Sequence, residues 1–315
     1  MQNELAFKNI QARRIEDALQ RAHELLPVVR DVARSWPIPP LADEIRARLQ
    51  IDERYAPGVD GPDVRVVVYR PTELAGPLPV VLSIHGGAFC FGRPEDFETV
   101  DAGLALSVGA VVVAVDYRLA PEHPFPAAID DCWAALLWTV ATAGELGIDV
   151  GRLAVTGASA GGALAAALCL MTRDRGGPHV AYQALFIPCI DDRLATPSIR
   201  QAIDNPGFNS KGAEGMWLHY LGEDLPRPNT SPYAAPARAT SLEGLPPAFV
   251  FTGGLDPLRD EGLAYAMSLL AAGVQAEVHN VPGMYHGAPE LDSSALARGR
   301  ATFTAAIADA LHRDP

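Results

Sequence analysis

The length, composition and charge of the chain exclude several classes of protein. With 315 residues, of which 49% are hydrophobic, the chain can bury a sizeable core, so general disorder is excluded. The formal net charge of −13 argues against a nucleic-acid-binding protein, because neutralising phosphates requires clustered Lys and Arg.

The N-terminal segment 1–50 has the apolar spacing of a helix and then a cluster of prolines. Apolar residues recur at Ile15, Leu19 and Leu25, and the pattern breaks from Pro37 onward. The first residues contain no apolar signal region, and no run of about 18 apolar residues occurs in the chain. We therefore expect a soluble, cytoplasmic protein without stable membrane insertion.

Seven short runs of β-branched residues follow, and most of them are continuously apolar. Such runs are typical of strands that are buried on both faces of a mostly parallel sheet. Helical patterns lie between the runs, which predicts an α/β layered fold. The predicted strands are 65–70, 79–86, 110–117, 152–157, 184–189, 248–254 and 276–281.

Two segments do not fit this alternation of strands and helices. Segment 195–242 is proline-rich and irregular, with a helix-like patch around Met216 and Trp217, and segment 1–50 contains no strand pattern. Together they could cover the top of the sheet.

The cysteines point to packing rather than to chemistry. They have apolar neighbours and no C-x-x-C spacing, so we interpret them as reduced core residues. Neither an H-E-x-x-H motif nor clustered His and Cys ligands occur, so no metal and no cofactor are expected. The cysteines are Cys90, Cys132, Cys169 and Cys189.

A serine stands among small residues directly after one predicted strand, in the sequence VTGASAGG at 155–162. Gly157, Ser159 and Gly161 match G-x-S-x-G, a sharp strand-to-helix turn that exposes the serine hydroxyl. The amide of Ala160 would face a reacting oxygen at the positive end of the following helix. A bare turn or a phosphate loop is the alternative. Because no G-K-[ST] follows, the pattern favours a nucleophile.

A base and an acid follow the serine in chain order, each just after a predicted strand. Asp256 follows one strand and His286 follows the next, which is the order Ser, Asp, His. His286 would act as the general base, and Asp256 would orient its imidazole. Separately, His286 could be a core histidine and Asp256 a helix cap before Pro257. Asp260 and Glu261 compete for the acid role, but they are expected in the first turn of the next helix.

The loop after the strand 79–86 is rich in small residues that let backbone N–H groups approach a ligand. We predict an oxyanion hole formed by Gly86, Gly87, Ala88 and Ala160, with amide donors at the last three. His85 is predicted to support this loop rather than to act as a base. An ordinary Gly-Gly turn is the alternative.

Taken together, the motifs resemble the hormone-sensitive-lipase-like branch of the α/β hydrolases, the bacterial esterases similar to arylacetamide deacetylase. The resemblance implies an eight-stranded, mostly parallel sheet, a helical cap and a triad at Ser159, Asp256 and His286. It also implies hydrolysis of short- to medium-chain acyl esters without a cofactor. It runs from about Pro79 to Gly287 and rests on HGGAF, DYRLAPEHPFPAAIDD, GASAGG, SPYAAP, DPLRDEG and YHG.

The resemblance divides the chain into a core and a cap. The cap is expected at 1–50 and 195–242, and the hydrolase core at 51–194 and 243–315.

Some residues of these motifs have an expected structural role, and two positions differ from many family members. Asp116, Arg118 and Glu122 are expected to fix loop architecture rather than to react. Many family members have Asp at the position of Ala158 and a third Gly at the position of Ala88. The first departure removes a charge beside the nucleophile, and the second adds a methyl group but keeps the N–H.

The expected partner is a small-molecule ester, and a homodimer is considered for the assembly. An amidase or peptidase with the same triad is an alternative, as is a non-catalytic ligand-binding protein on the same scaffold. Aromatic residues near the motifs are candidates for the pocket wall, although apolar residues there are more often simply packed. These candidates are Phe89, Phe91, Phe208, Trp217 and Tyr285.

Overall fold

Eight strands form a single sheet in the structure, a computed structural model that describes residues 26–35, 38–59, 61–222, 228–287 and 294–313. The strands are β1 Leu49–Ala56, β2 Val64–Pro71, β3 Leu78–Ile84, β4 Val111–Val115, β5 Ile148–Ala158, β6 Tyr182–Phe186, β7 Ala248–Gly253 and β8 Ala276–Val281. Their spatial order is β1-β2-β4-β3-β5-β6-β7-β8. β2 runs antiparallel to β1 and β4, whereas the pairs from β4 to β8 are parallel. The mostly parallel eight-stranded sheet is therefore confirmed.

Helices cover both faces of this sheet. They are α1 Leu26–Arg34, α2 Asp43–Arg46, α3 Glu98–Val108, α4 Ala127–Ala141, α5 Ala143–Leu146, α6 Ala160–Arg175, α7 Pro197–Gln201, α8 Ser210–Leu221, α9 Arg259–Ala271 and α10 Ser294–His312. Short 3₁₀ turns lie at Pro94–Phe97 and Pro236–Arg238. Residues of α4, α6 and α9 pack on one face, and residues of α3 and α10 pack on the other.

Burial on two faces explains why the central strands are continuously apolar. In β3, Val80, Leu82 and Ile84 belong to one core, whereas Val81 belongs to the core on the opposite face. Successive side chains of a strand point to opposite faces, so an exposed face would require alternating polar residues.

β1 is the strand that the sequence patterns did not predict. Its sequence LQIDERYA mixes apolar and charged residues, as expected for an edge strand that pairs on one side only. The predicted domain boundary between residues 50 and 51 falls inside this strand. The predicted helical residues Ile15, Leu19 and Leu25 lie outside the described part of the chain.

β6 ends earlier than predicted, at Phe186 rather than Cys189. Ile187 has a positive φ of 43°, and Pro188 has no N–H for a ladder hydrogen bond. The Cys189 amide then donates to the carbonyl of Ser159 at 3.2 Å. The chain thus leaves the sheet to support the turn that carries the serine.

Because parallel strands end at the same edge of a sheet, the loops after β3, β5, β7 and β8 meet there. These loops carry the predicted oxyanion, nucleophile, acid and base motifs. Within the described residues, no helix is long and apolar enough to span a lipid bilayer.

Candidate active site

Ser159 lies on a tight turn between β5 and α6. Its φ of 55° is unusual for a residue other than glycine. A Cβ atom on Gly157 would lie 2.2 Å from the carbonyl oxygen of Gly161, and one on Gly161 would lie 2.0 Å from that of Ile84. Backbone contacts therefore require glycine at both positions beside the serine.

The structure brings the three predicted triad residues into one hydrogen-bonded chain. Ser159 Oγ lies 2.9 Å from Nε2 of His286, and His286 Nδ1 lies 2.8 Å from Oδ2 of Asp256. Asp256 is 2% exposed and Ser159 is 9% exposed. The site is thus shielded from bulk water, which strengthens its electrostatic interactions.

Of the three candidate acids, Asp256 is the one that contacts the histidine. Its second oxygen accepts a hydrogen bond from the Leu258 amide at 2.7 Å. Asp260 instead accepts from the Ser198 amide at 2.8 Å and pairs with Arg259.

Glu261, the third candidate acid, contacts the segment after β6. Its Oε1 accepts from the Ile190 amide at 2.7 Å, and burial raises the pKa of this carboxyl well above its ordinary value. Its contacts direct it toward the segment after β6 rather than toward the histidine.

The loops that carry the acid and the base are joined by their backbones. The Leu255 amide donates to the Met284 carbonyl at 2.9 Å, and the Gly254 amide donates to Val281 at 2.7 Å. A Cβ atom on Gly253 would lie 2.6 Å from the Met284 carbonyl oxygen. These backbone contacts therefore fix the positions of Asp256 and His286 relative to each other.

The predicted oxyanion loop makes a compact turn after β3. Gly87 has a φ of 124°, and its carbonyl accepts hydrogen bonds from Cys90 and Phe91. A Cβ atom on Gly87 would lie 2.2 Å from the Phe91 carbonyl oxygen, so only glycine fits. One on Gly86 would lie 2.9 Å from the carbonyl oxygen of Ala158, which places this loop against the serine turn.

The three predicted donor amides have no backbone acceptor. Across the described residues, the amides of Gly87, Ala88 and Ala160 donate to no backbone carbonyl. Ala88 is 5% exposed and has a φ of 55°. These groups are available to a ligand oxygen, as an oxyanion hole requires.

His85 contacts its own loop rather than the serine. Its Nδ1–H donates to the Gly86 carbonyl at 2.8 Å, and its ring stacks on Tyr117 at 4.2 Å. The Tyr117 hydroxyl donates in turn to the His85 carbonyl at 3.0 Å. Burial lowers the pKa of His85 to about 4, so the ring is neutral at pH 7. These contacts fit the predicted role of loop support.

A family model for the α/β-hydrolase fold matches residues 81–290, two thirds of the chain. The chain belongs to the α/β-hydrolase family. The resemblance to its hormone-sensitive-lipase-like branch, based on the motifs, is confirmed.

Named relatives match over most of their length. The carboxylesterase NlhH of Mycobacterium tuberculosis is 41% identical, covering 90% of this chain and 89% of the relative. The esterase LipI of the same organism is 40% identical, covering 83% of this chain and 81% of the relative. A solved structure described as a bacterial heroin esterase is 43% identical, with a TM-score of 0.85 and coverage of 91% and 92%.

In this α/β hydrolase, the predicted pocket residue Phe208 lies beside the triad. The ring of Phe208 lies 4.7 Å from that of His286. Tyr285 is half-buried beside His286 in the chain.

The other three predicted pocket residues are buried in the core. Phe89 stacks at 3.7 Å on Tyr220 and lies 5.7 Å from Trp217, and Phe91 is 3% exposed. Tyr220 was missed by sequence reasoning, although its spacing of three residues from Trp217 places both on neighbouring positions of α8.

The residues of the DYRLAPEH motif make ion pairs with distant elements. Arg118 binds Asp131 through two nitrogens, and Asp116 accepts from Arg65 at 3.0 Å. Glu122 binds Arg30, a residue that the sequence analysis did not identify. These contacts agree with a role in loop architecture.

Proposed function

We propose that this α/β hydrolase is a carboxylic-ester hydrolase that acts on short- to medium-chain acyl esters through an acyl-enzyme. The observation that carries the proposal is the hydrogen-bonded chain from Ser159 through His286 to Asp256, with distances of 2.9 and 2.8 Å. It lies beside the amides of Gly87, Ala88 and Ala160, which donate to no backbone carbonyl of the described residues. The names of the relatives, carboxylesterase NlhH and esterase LipI, support the same reaction.

In the acylation step, His286 Nε2 accepts the proton of Ser159 as its oxygen attacks the ester carbonyl. The resulting oxyanion would accept hydrogen bonds from the amides of Gly87, Ala88 and Ala160. The histidine then donates the proton to the leaving alcohol, and the acyl group stays on the serine.

In the deacylation step, a water molecule takes the place of the alcohol. His286 accepts the water proton as the water attacks the acyl carbon, and Ser159 leaves with that proton. Asp256 accepts a hydrogen bond from His286 Nδ1, which selects the tautomer with a free Nε2. The Leu258 amide holds the other carboxylate oxygen and prevents rotation of the carboxylate.

We also propose that segments 1–50 and 195–242 form a cap over the core at 51–194 and 243–315. Contacts from 195–242 support this division, since Phe208 lies over His286 and the Tyr220 carbonyl accepts from the Phe125 amide at 2.8 Å. The cytoplasmic location and the homodimer stay predictions from the sequence.

The test of the proposed function compares matched substrates with the wild-type chain and Ser159→Ala. Nitrophenyl esters from acetyl to long-chain acyl groups are measured beside nitroanilides of the same acyl groups. We expect the highest kcat/KM on short and medium esters and a loss on the order of a millionfold in kcat for Ser159→Ala.

A serine-directed organophosphate provides the control for this experiment. It should label the wild-type chain once, at Ser159, while the variant keeps the wild-type circular dichroism spectrum and stays unlabelled. Faster turnover of anilides than of esters would indicate an amidase or peptidase. No turnover and no labelling would indicate a ligand-binding protein.

A further inference from the structure

A buried arginine of helix α1 contacts the oxyanion loop and the loop that follows β4. Arg30 is 7% exposed, although arginine is rarely buried without partners. Its guanidinium donates to two backbone carbonyls and to one carboxylate. None of these contacts is used by the reaction steps above.

The two backbone acceptors belong to two different loops. Nε of Arg30 donates to the Cys90 carbonyl at 2.6 Å, and Nη2 donates to the Ala120 carbonyl at 2.6 Å. The Ala120 amide in turn donates to the Phe89 carbonyl at 2.9 Å. One guanidinium thus holds both sides of the contact between the oxyanion loop and the loop that follows β4.

The turn held in this way is strained. Gly87, Ala88 and Phe89 have consecutive positive φ values of 124°, 55° and 58°. Positive φ is unfavourable for Ala and Phe, so it persists only where surrounding contacts impose it. The hydrogen bonds to the Phe89 and Cys90 carbonyls are two such contacts.

The charge of Arg30 is balanced at the same place. Glu122 accepts from Nη1 at 2.8 Å and from Nη2 at 2.9 Å. This fork-to-fork geometry suits a guanidinium, which presents five fixed N–H donors, and not an ammonium. A lysine at position 30 would keep the charge but could not reach all three acceptors in the same directions.

We propose that Arg30 is a positioning residue for ester hydrolysis, because it fixes the Gly87–Phe91 turn in the conformation that directs the Ala88 amide at the substrate oxyanion. The inference rests on the proposed function and adds a residue to it. It links helix α1, in the proposed cap, to the donors that stabilise the tetrahedral intermediate. A purely structural role for Arg30 would anchor α1 without affecting these donors.

The test measures hydrolysis of 4-nitrophenyl butyrate by Arg30→Met, Arg30→Lys and the matched control Arg34→Met. Arg34 lies one turn further along α1 with an exposed side chain. Active sites are titrated with an organophosphate, so that kcat refers to folded enzyme. For Arg30→Met we expect kcat to fall roughly tenfold to a hundredfold with KM within about threefold, since a misdirected donor weakens the transition state.

Two inhibitors distinguish a positioning role of Arg30 from a general disturbance of the active site. A trifluoromethyl ketone forms a tetrahedral adduct with the serine, and the methyl ketone of the same chain length does not. In Arg30→Met the inhibition constant of the fluoroketone should rise by about the same factor as kcat/KM falls, while that of the methyl ketone stays unchanged. Arg30→Lys should lie between the wild-type chain and Arg30→Met, and Arg34→Met should match the wild-type chain.

Each remaining outcome contradicts the proposal. It is overturned if Arg30→Met keeps the wild-type kcat, if only KM changes, or if both inhibition constants change equally. It is also overturned if both Arg30 variants lack titratable sites while Arg34→Met has them, because Arg30 would then be needed for folding alone. If the wild-type chain itself does not hydrolyse the ester, the proposed function fails, and that result is distinct from all of these.

Discussion

At the residue scale, each member of the proposed triad has a partner that fixes its orientation. Ser159 is held by its strained turn, His286 by the carboxylate behind it, and Asp256 by the Leu258 amide. Such preorganisation lowers the reorganisation that the reaction requires. The contacts also distinguish Asp256 from Asp260, two candidate acids that look equivalent in the sequence.

Asp256 and Asp260 provide the first prediction. Asp256→Asn should lower kcat by about ten-thousandfold, because an amide favours the wrong histidine tautomer. Asp260→Asn should keep kcat within about threefold, because Asp260 bonds to Ser198 and Arg259 instead. Steady-state kinetics per titrated site compare the two variants, and the reverse ranking would overturn the assignment of the acid.

Ala88→Gly tests the residue at which the chain departs from a triple-glycine loop. The amide donor survives the change, so activity should not fall by the hundredfold or more that follows loss of a donor. Removing the methyl group should open space for branched acyl groups beside the reacting carbon. We expect the kcat/KM ratio of a branched ester to its linear isomer to rise in the variant.

The φ of Ala88 adds an expectation about stability. Glycine relieves the strain at a φ of 55° but has more conformational entropy to lose, and these effects oppose each other. The melting temperature should therefore stay close to that of the wild-type chain. An unchanged or lower ratio of branched to linear rates would show that residue 88 does not face the reacting centre.

At the scale of elements, the β5–α6 unit packs against the end of β3 through backbone atoms. This contact places the serine next to the oxyanion loop, and it depends on glycine at the first turn of α6. The motif G-x-S-x-G predicted the turn, but its close contact with Ile84 could not be predicted, because the motif does not specify the neighbouring strand.

Gly161→Ala should therefore destabilise the protein, by about 3 kcal/mol or more, since the new Cβ would lie 2.0 Å from the Ile84 carbonyl oxygen. Gly103→Ala is the control. A Cβ atom on Gly103, which lies within α3, would meet no neighbouring group within 4 Å, so alanine should stabilise the helix by about 0.5–1 kcal/mol. Urea unfolding measures both changes, and similar effects at the two sites would contradict the packing described.

At the scale of the whole molecule, the sequence predicted those parts of the fold that repeat a simple pattern. Seven strands could be predicted from apolar runs, and the residues of the proposed triad were predicted from the turns that follow these strands. β1 was missed because the charged residues Asp52, Glu53 and Arg54 interrupt both a continuous apolar run and a regular alternation of apolar and polar residues. Arg30 was missed because its acceptors lie 60 to 92 residues further along the sequence, and a local sequence pattern cannot predict contacts over such separations.

We expect a buried carboxyl between α3 and β3 to make the stability of the whole molecule depend on pH. Asp101 is 2% exposed and accepts a hydrogen bond from Ser83 Oγ at 2.6 Å. Burial raises its pKa to about 7, against an ordinary value of 3.8, and the Ser83 hydrogen bond opposes this shift in part. Because the folded state binds this proton more tightly, its contribution to stability is complete below pH 3.8 and is lost as pH rises through 7.

Asp101→Asn should remove this dependence. The free energy of unfolding of the variant, relative to the wild-type chain, should increase between about pH 4 and about pH 8 by on the order of a few kcal/mol. Any constant cost of the amide cancels in this comparison. Urea unfolding at the two pH values provides the measurement, and parallel pH profiles would show that Asp101 ionises normally.

The strand order divides the proposed site between two pieces of the chain that meet at the β6–β7 ladder. A cut at the exposed turn around Gly244 would leave the serine and the oxyanion loop on the longer fragment, and the acid and the base on the shorter one. Neither fragment would hydrolyse an ester alone, and activity would return only when the parallel pairing of β6 with β7 reforms. If each fragment were fused to one of two interacting proteins, association of those proteins would bring the fragments together. Hydrolysis of a nitrophenyl ester would then report the association as a colour change.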